Sequence, residues 1–383
     1  MPSRAWSDPL GEELYIGLMS GTSLDGVDGA LCAFTADGRW IGVRRHAALP
    51  FEPALRAALA GLQQPGPDEI HRAALAANAL AEVYAQVVQR LLEGLSPSSV
   101  RAIGTHGQTI RHRPGLFDGT GYTTQINQPA LLAERCRIDV IADFRSRDVA
   151  AGGQGAPLVP PFHAAIFGNG DPALPPRAVV NIGGISNLTL LSPGKPPRGF
   201  DCGPGNALLD HWAQRHLGQP YDAQGAWSAG GQVATALLQA LLSEPYFASP
   251  PPKSTGRDLF HPEWLHWHLG AQRSACAAQD VQATLCELTA AAIANDLARH
   301  APSTRELLVC GGGALNDDLM RRLGQRLPGC CVLGTAERGL PPLQVEAAAF
   351  AWLARQHCHR QAASLPEVTG ALGPRILGAC YPA

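Results

Sequence analysis

The sequence predicts an α/β protein of two domains, each a mixed sheet flanked by helices, set around a central cleft. Three observations lead there. The chain has 383 residues, too many for one ordinary core and enough for two. A run of three strands, a helix and a further strand can be traced twice. In both halves a glycine turn separates the first two strands, and repetition of a whole pattern argues for a repeated architecture.

The first half begins with the apolar run Leu14–Met19. A turn, Ser20–Gly26, leads to a second apolar run, Val27–Phe34. Asp37-Gly38 is a hairpin signal, and Trp40–Val43 reads as the third strand. Pro53–Leu62 and the Ala/Leu-rich Asp68–Leu95 carry apolar residues at helical spacing. Val100–Thr105 is the next strand. The second half repeats this order with Ala178–Ile182, the turn Gly183-Gly184, Ser186–Leu191 and Arg198–Asp201. Pro204-Gly205-Asn206 opens a helix to about His216, and Val281–His300 is a longer helix. The strand Leu307–Cys310, the turn Gly311-Gly312-Gly313 and the helix Asn316–Leu327 follow. Residues 1–145 with 345–383 are expected to form the first domain, and 146–344 the second. A cleft between domains is where a ligand is expected.

Bulk chemistry narrows the function. The formal net charge is -2, with 45% hydrophobic and 16% charged residues. No global basic field points to nucleic acid or an anionic membrane. No apolar run reaches the roughly 18–20 residues that span a bilayer, and the first residues lack a signal-peptide core. A cytoplasmic protein is expected. None of the ten cysteines forms a C-x-x-C, so they read as reduced, small buried hydrophobes. Neither H-E-x-x-H nor Cys/His clusters at zinc spacing occur, and a structural metal is not expected.

The chemistry concentrates in glycine turns. Gly17–Gly26 (GLMSGTSLDG) combines glycines, whose N–H groups can approach an anion closely, with the hydroxyls of Thr22 and Ser23. Asp25 could hold a hydrated magnesium ion. A plain polar hairpin has the same composition. Asn181–Asn187 (NIGGISN) has the same form in the second half, so the two turns can clamp a polyphosphate. Val309–Asn316 (VCGGGALN) suits the base and ribose of a nucleotide, although Asn316 stands where a dinucleotide fingerprint needs its last glycine. No phosphate-binding loop of the G-x-x-x-x-G-K-[ST] type is present: Gly194-Lys195-Pro196 lacks the hydroxyl and Lys253-Ser254-Thr255 lacks the glycine.

Asp201 in Gly199–Asn206 (GFDCGPGN) is expected just past a strand and before a helix. A helix N-terminus there would favour the ionised form, suited to accepting a proton from a hydroxyl or water. An ordinary N-cap aspartate is the competing account. Polar groups between glycines mark a site for a sugar: His106 after a strand, Gln125 and Asn127 in another, and Arg147 with Asp148. For the last two the competing account is a surface ion pair, and for His106 a bond to backbone.

These strings resemble the anhydro-N-acetylmuramic acid kinases of bacterial cell-wall recycling. The matching segments are GLMSGTSLDGVD, THGQTIRH, DFRSRDVAAGGQGAPLVP, NIGGISNLTLL, RGFDCGPGN, PPKSTGR, CGGGALN and VTGALGPR, from Gly17 to Arg375. The resemblance implies two actin-like (ribonuclease H-like) ATPase domains. It implies a kinase that uses ATP, Mg2+ and water to open the 1,6-anhydro ring, giving N-acetylmuramic acid 6-phosphate and ADP. The ATP-binding signature then falls on Gly21, Thr22, Ser23, Leu24, Asp25, Gly26, Val27 and Asp28, with Gly183, Gly184, Gly311, Gly312 and Gly313 completing the nucleotide side. The catalytic aspartate falls on Asp201, and a sugar-site glutamate on Glu346. An amino sugar is the expected partner, with no nucleic acid and no membrane, and homodimerisation is left open. Two alternatives stay open: a nucleotide-driven clamp of the same fold, and a kinase for another sugar.

Overall fold

The computed structural model describes residues 11–383 except 22, 169–170, 172, 257 and 272–275. The chain divides into two compact units, Met1–Ile166 with Gln344–Ala383, and Phe167–Leu343. In chain order the strands of the first unit are β1 (Glu12–Met19), β2 (Gly26–Thr35), β3 (Trp40–Pro50), β4 (Val100–Thr105), β5 (Gln108–Pro114), β6 (Gly121–Ile126) and β7 (Val140–Ala142). The second unit holds β8 (Arg177–Ile182), β9 (Ile185–Leu191), β10 (Arg198–Pro204), β11 (Glu306–Cys310) and β12 (Cys331–Gly334). The last strand, β13 (Ala379–Tyr381), returns to the first unit.

The two sheets share one plan. The first runs β13-β7-β4-β1-β2-β3 and the second β10-β9-β8-β11-β12. In each, the first three strands form an antiparallel meander. The fourth then pairs parallel to the first, and the fifth parallel to the fourth. Parallel neighbours need a crossover, supplied by the helices Glu69–Leu91 and Ala278–His300. The first buries Ala77, Leu80, Ala81, Tyr84, Val88 and Leu91, one stripe at helical spacing. The second is buried along most of its length, Val281 to Leu297.

The helix Val345–Cys358 belongs to the first unit and is buried almost continuously from Ala347 to Arg355. Its small residues allow a very close approach to the sheet. A Cβ on Gly17 of β1 would overlap the backbone of Ala347 and Ala351, and one on Gly104 of β4 the carbonyl of Phe350. Gly17 is therefore a packing glycine of the sheet rather than part of an anion nest. Arg355 of this helix, itself buried, reaches the Glu13 carboxylate at 3.1 Å.

Several expectations change in detail. The third strand is eleven residues long rather than four. Asn127 lies just beyond β6, not inside it. Five cysteines are buried as expected, but Cys331, Cys358 and Cys380 are exposed and Cys276 and Cys330 are half-buried. Among the described residues no helix is long and apolar enough to cross a membrane.

Candidate active site

The turn after β1 is built from the inside outwards. Ser20 is buried, and its hydroxyl lies 3.0 Å from the Tyr84 phenol and 3.1 Å from the Gly107 carbonyl. The Gln108 amide donates to the Gly21 carbonyl at 3.1 Å. The Leu24 N–H closes the turn onto the same carbonyl at 3.2 Å, with Leu24 in the left-handed region at φ 60°. Ser23 and Asp25 are exposed at the tip, and Asp25 has Arg56 at 3.7 Å. Thr22 lies outside the described residues.

Gly26, Val27 and Asp28 belong to β2. A Cβ on Gly26 would overlap the Leu49 carbonyl of β3, and Val27 is core. Asp28 faces His46 at 3.3 Å. Strand packing accounts for Gly26 and Val27, and of the described residues of the turn Ser23 and Asp25 are exposed.

The polar residues of the middle segment gather behind this turn. His106 is buried, with Nδ1 3.3 Å from the Ser20 carbonyl. Its Nε2 accepts from Arg145 Nε at 3.2 Å and Nη2 at 2.9 Å. Burial first, and Arg145 second, push its pKa down to about 3, so the ring is neutral. Burial also pulls the Arg145 guanidinium down to about 10, opposed by the charges of Glu346 and Asp148. Glu346 stands in the first turn of the helix Val345–Cys358, half-buried. Gln125 donates to the hydroxyls of Thr109 and Thr123, and Asn127 to that of Thr105.

Arg147 and Asp148 do not form the surface pair that their spacing suggested. Arg147 is exposed, and among the described residues no ion pair involves it. Asp148 is fully buried and accepts from the Gly155 N–H and the Thr369 hydroxyl, both at 2.8 Å. Its neighbours face opposite ways because the short helix Ser146–Ala150 turns one side chain in and the next out. Asp148 therefore holds loop 152–155 in place. Arg145, two residues before Arg147, is the guanidinium turned inwards. Its signal lay in the string DFRSRD, which offers two arginines with nothing local to choose between them.

In the second unit the turns behave as one structure. The carbonyls of Gly183 and Gly184 accept from the N–H groups of Asn206 and Gly205 at 2.8 and 2.9 Å. Gly311 has φ 77°, and a Cβ there would come within 2.7 Å of the Ile182 carbonyl. A Cβ on Gly313 would strike the Ile182 side chain. Gly311 and Gly313 thus permit the strand-to-helix turn to press against the end of β8, while a Cβ on Gly312 would meet only Asn206 Nδ2, at 3.3 Å. The buried Asn181 has its Oδ1 beside Gly311 and without a hydrogen-bond partner.

Asp201 lies inside β10, opposite Asn187 of β9, and not before a helix. The register shifts between Asp201 and Gly203, so the strand runs on to Pro204 and Gly205 takes the N-cap. One carboxylate oxygen, Oδ2, accepts from the Ser254 hydroxyl and the Thr255 N–H, each at 3.0 Å. No helix dipole favours the charged form. Burial pushes the pKa up to about 6, against those two hydrogen bonds and the Lys253 charge. That value suits a general base working near neutrality.

Residues 13–383 match the protein family described as anhydro-N-acetylmuramic acid kinase. The chain belongs to the anhydro-N-acetylmuramic acid kinase family. A relative of that name from Variovorax paradoxus is 61% identical over 97% of this chain and 99% of its own. One from Cupriavidus metallidurans is 58% identical over 98% and 99%, and one from Albidiferax ferrireducens 57% over 97% and 100%. The twice-repeated strand order agrees with the repeated two-domain architecture expected from the sequence.

Proposed function

We propose that Asp201 is the general base of a kinase reaction in which ring opening and phosphoryl transfer are coupled. The chain is an ATP-dependent anhydro-N-acetylmuramic acid kinase. In the coupled reaction Asp201 takes a proton from water, and the water oxygen bonds to the anomeric carbon. The bond from that carbon to the bridging oxygen breaks, and the freed oxygen keeps the electron pair. That oxygen then attacks the γ-phosphorus, and ADP leaves. The products are N-acetylmuramic acid 6-phosphate and ADP.

The carrying observation is the Asp201 carboxylate itself. Oδ2 is fixed by two donors, no donor among the described residues reaches Oδ1, and burial brings the pKa close to the working range. Ser23, Asp25 and the N–H groups of Gly21–Asp25 other than that of Leu24 are assigned to ATP phosphates. Gly183, Gly184 and Gly311–Gly313 are assigned to the rest of the nucleotide, with Asn181 Oδ1 an acceptor for it. His106, Gln125, Asn127, Arg147 and Glu346 are assigned to the sugar side, with Arg145 added and Asp148 as the group that positions their loop.

A magnesium ion fits this set in one way only. Among the described residues no cluster of three metal-ligating side chains occurs. Asp25 is exposed at the tip of the phosphate turn. Magnesium commonly keeps several waters and takes one or two carboxylates plus substrate phosphates, so Asp25 would hold it through water. Bound there, the ion would neutralise phosphate charge. A cytoplasmic location and a homodimer are part of the same reading.

The product's mass tests the coupling. With ATP, magnesium and the anhydro sugar, the product should gain one phosphoryl group and one water. A phosphorylated product with the anhydro bridge intact would sink the coupled reaction.

A further inference from the structure

Lys253, in the string PPKSTGR, has its side chain buried behind the candidate base. Its side chain and that of Asp296, on the helix Ala278–His300, are each only 4% exposed. Lys253 Nζ lies 3.1 and 2.9 Å from the two Asp296 carboxylate oxygens. The same ammonium sits 5.0 Å from the Tyr246 ring centre and 5.9 Å from that of Phe200. Two desolvated charges are costly to bury, so this pair is weak evidence for stability and needs another reason to be there.

The reason is visible in what residues 253–255 touch. The Asp201 N–H donates to the Lys253 carbonyl at 3.1 Å. The Asp201 carbonyl accepts from the Tyr246 phenol at 2.8 Å. Ser254 and Thr255 donate to the carboxylate. Backbone and side chain of Asp201 are thus held by one short loop segment and one tyrosine, and both surround the Lys253 ammonium. We propose that the buried Lys253–Asp296 pair is a positioning device that locks segment 253–255 so that Asp201 presents Oδ1 to the water it activates.

The inference rests on Asp201 being the base. Among the described residues the charged and titratable groups around it are Lys253, Cys202 and Tyr246, with Asp296, Arg299 and His300 on the long helix. Lys253 is the cation that opposes the upward push of burial on Asp201. Loss of that cation, or of the Ser254 donor, moves the Asp201 pKa further up.

The test compares Lys253→Met, Ser254→Ala, Asp201→Asn and the Asp201→Asn/Lys253→Met double variant. Lys253→Met should lower kcat about 10²-fold through misplacement of the base, leave the KM for ATP unchanged, and move the acid limb of kcat/KM to higher pH. On the Asp201→Asn background it should cost nothing further. Ser254 is exposed, so Ser254→Ala reports the same upward limb shift even where Lys253→Met fails to fold. An unmoved acid limb in Ser254→Ala and, where it folds, in Lys253→Met overturns the positioning role while an inactive Asp201→Asn leaves the base assignment standing. Equal losses from Lys253→Met with and without Asp201 overturn it too, as the mark of a purely structural pair. Near-normal turnover of Asp201→Asn overturns both.

Discussion

Arg145 donates through Nε and Nη2 to Nε2 of His106, at 3.2 and 2.9 Å. An Nε2 that accepts leaves the ring proton on Nδ1, where it can donate to the Ser20 carbonyl. A guanidinium facing Glu346 and Asp148 is thereby tied through one imidazole to the turn after β1. That turn and the polar residues behind it share a single brace.

That brace sets an acid sensitivity. His106 titrates at about 3 when folded and at about 6.5 in an unfolded chain. As the pH falls, the unfolded chain binds this proton first, so the contribution is fully present above pH 6.5 and is lost towards pH 3. His163, likewise pushed down to about 3 by burial, adds in the same direction. Urea midpoints should drop between pH 7 and pH 4. His106→Gln should flatten part of that slope while lowering stability at pH 7 by about 1–3 kcal/mol, as Arg145 Nε and Nη2 lose the ring nitrogen they donate to while Nη1 keeps the Gly155 carbonyl. An unchanged slope would count against a neutral, buried His106.

Turnover should carry its own acid limb. A carboxylate held near 6 is the active form above that pH and is protonated below it. The wild-type kcat/KM should fall as the pH drops through about 6. Asp201→Asn should lose about 10²–10⁴-fold in kcat, abolish the limb and still bind ATP by calorimetry.

Gly311→Ala should damage the nucleotide side. Its φ of 77° is one that alanine adopts only with strain, and its Cβ would press on the Ile182 carbonyl and Asn181. We expect a loss of about 2 kcal/mol or more in stability and a raised KM for ATP. A thermal melt and ATP titration that match wild type would contradict the geometry.

Asp148→Asn separates positioning from contact. The amide keeps one acceptor, but its NH2 group faces either the Gly155 N–H or the Thr369 hydroxyl. We expect a cost of about 1–3 kcal/mol with earlier proteolysis in loop 152–155. Resistance to cleavage equal to wild type would show that the loop is held by something else.

The legible parts were those written in short windows. The strand–turn–strand starts of both halves, the β11 glycine turn and the helix after it depend on neighbours within a few residues, and all are found where expected. Asp201 was found by its string, but its setting was not. The register shift beside Cys202 lets β10 run on to Pro204, and a local reading that ends the strand at Asp201 has no access to that extra residue. Arg145, Tyr84 and Lys253 stayed hidden for a plainer reason. Their partners are His106, Ser20 and Asp296, far away in sequence. Tyr84 in particular is indistinguishable from core on its helical stripe.

The closeness of the helix Val345–Cys358 to Gly17 and Gly104 has a consequence for how the chain is made. Residue 166 ends the first stretch of the first unit, and the covering helix ends at Cys358. At about 5–20 residues per second, a ribosome needs roughly 10–40 s to travel between them. Throughout that interval β1 and β4 lack the helix that seals them, while the 167–343 unit can already close. The protein is thus begun at one end and completed in its middle first. A newborn chain presents an unsealed sheet that holdase chaperones can recognise until its last residues emerge.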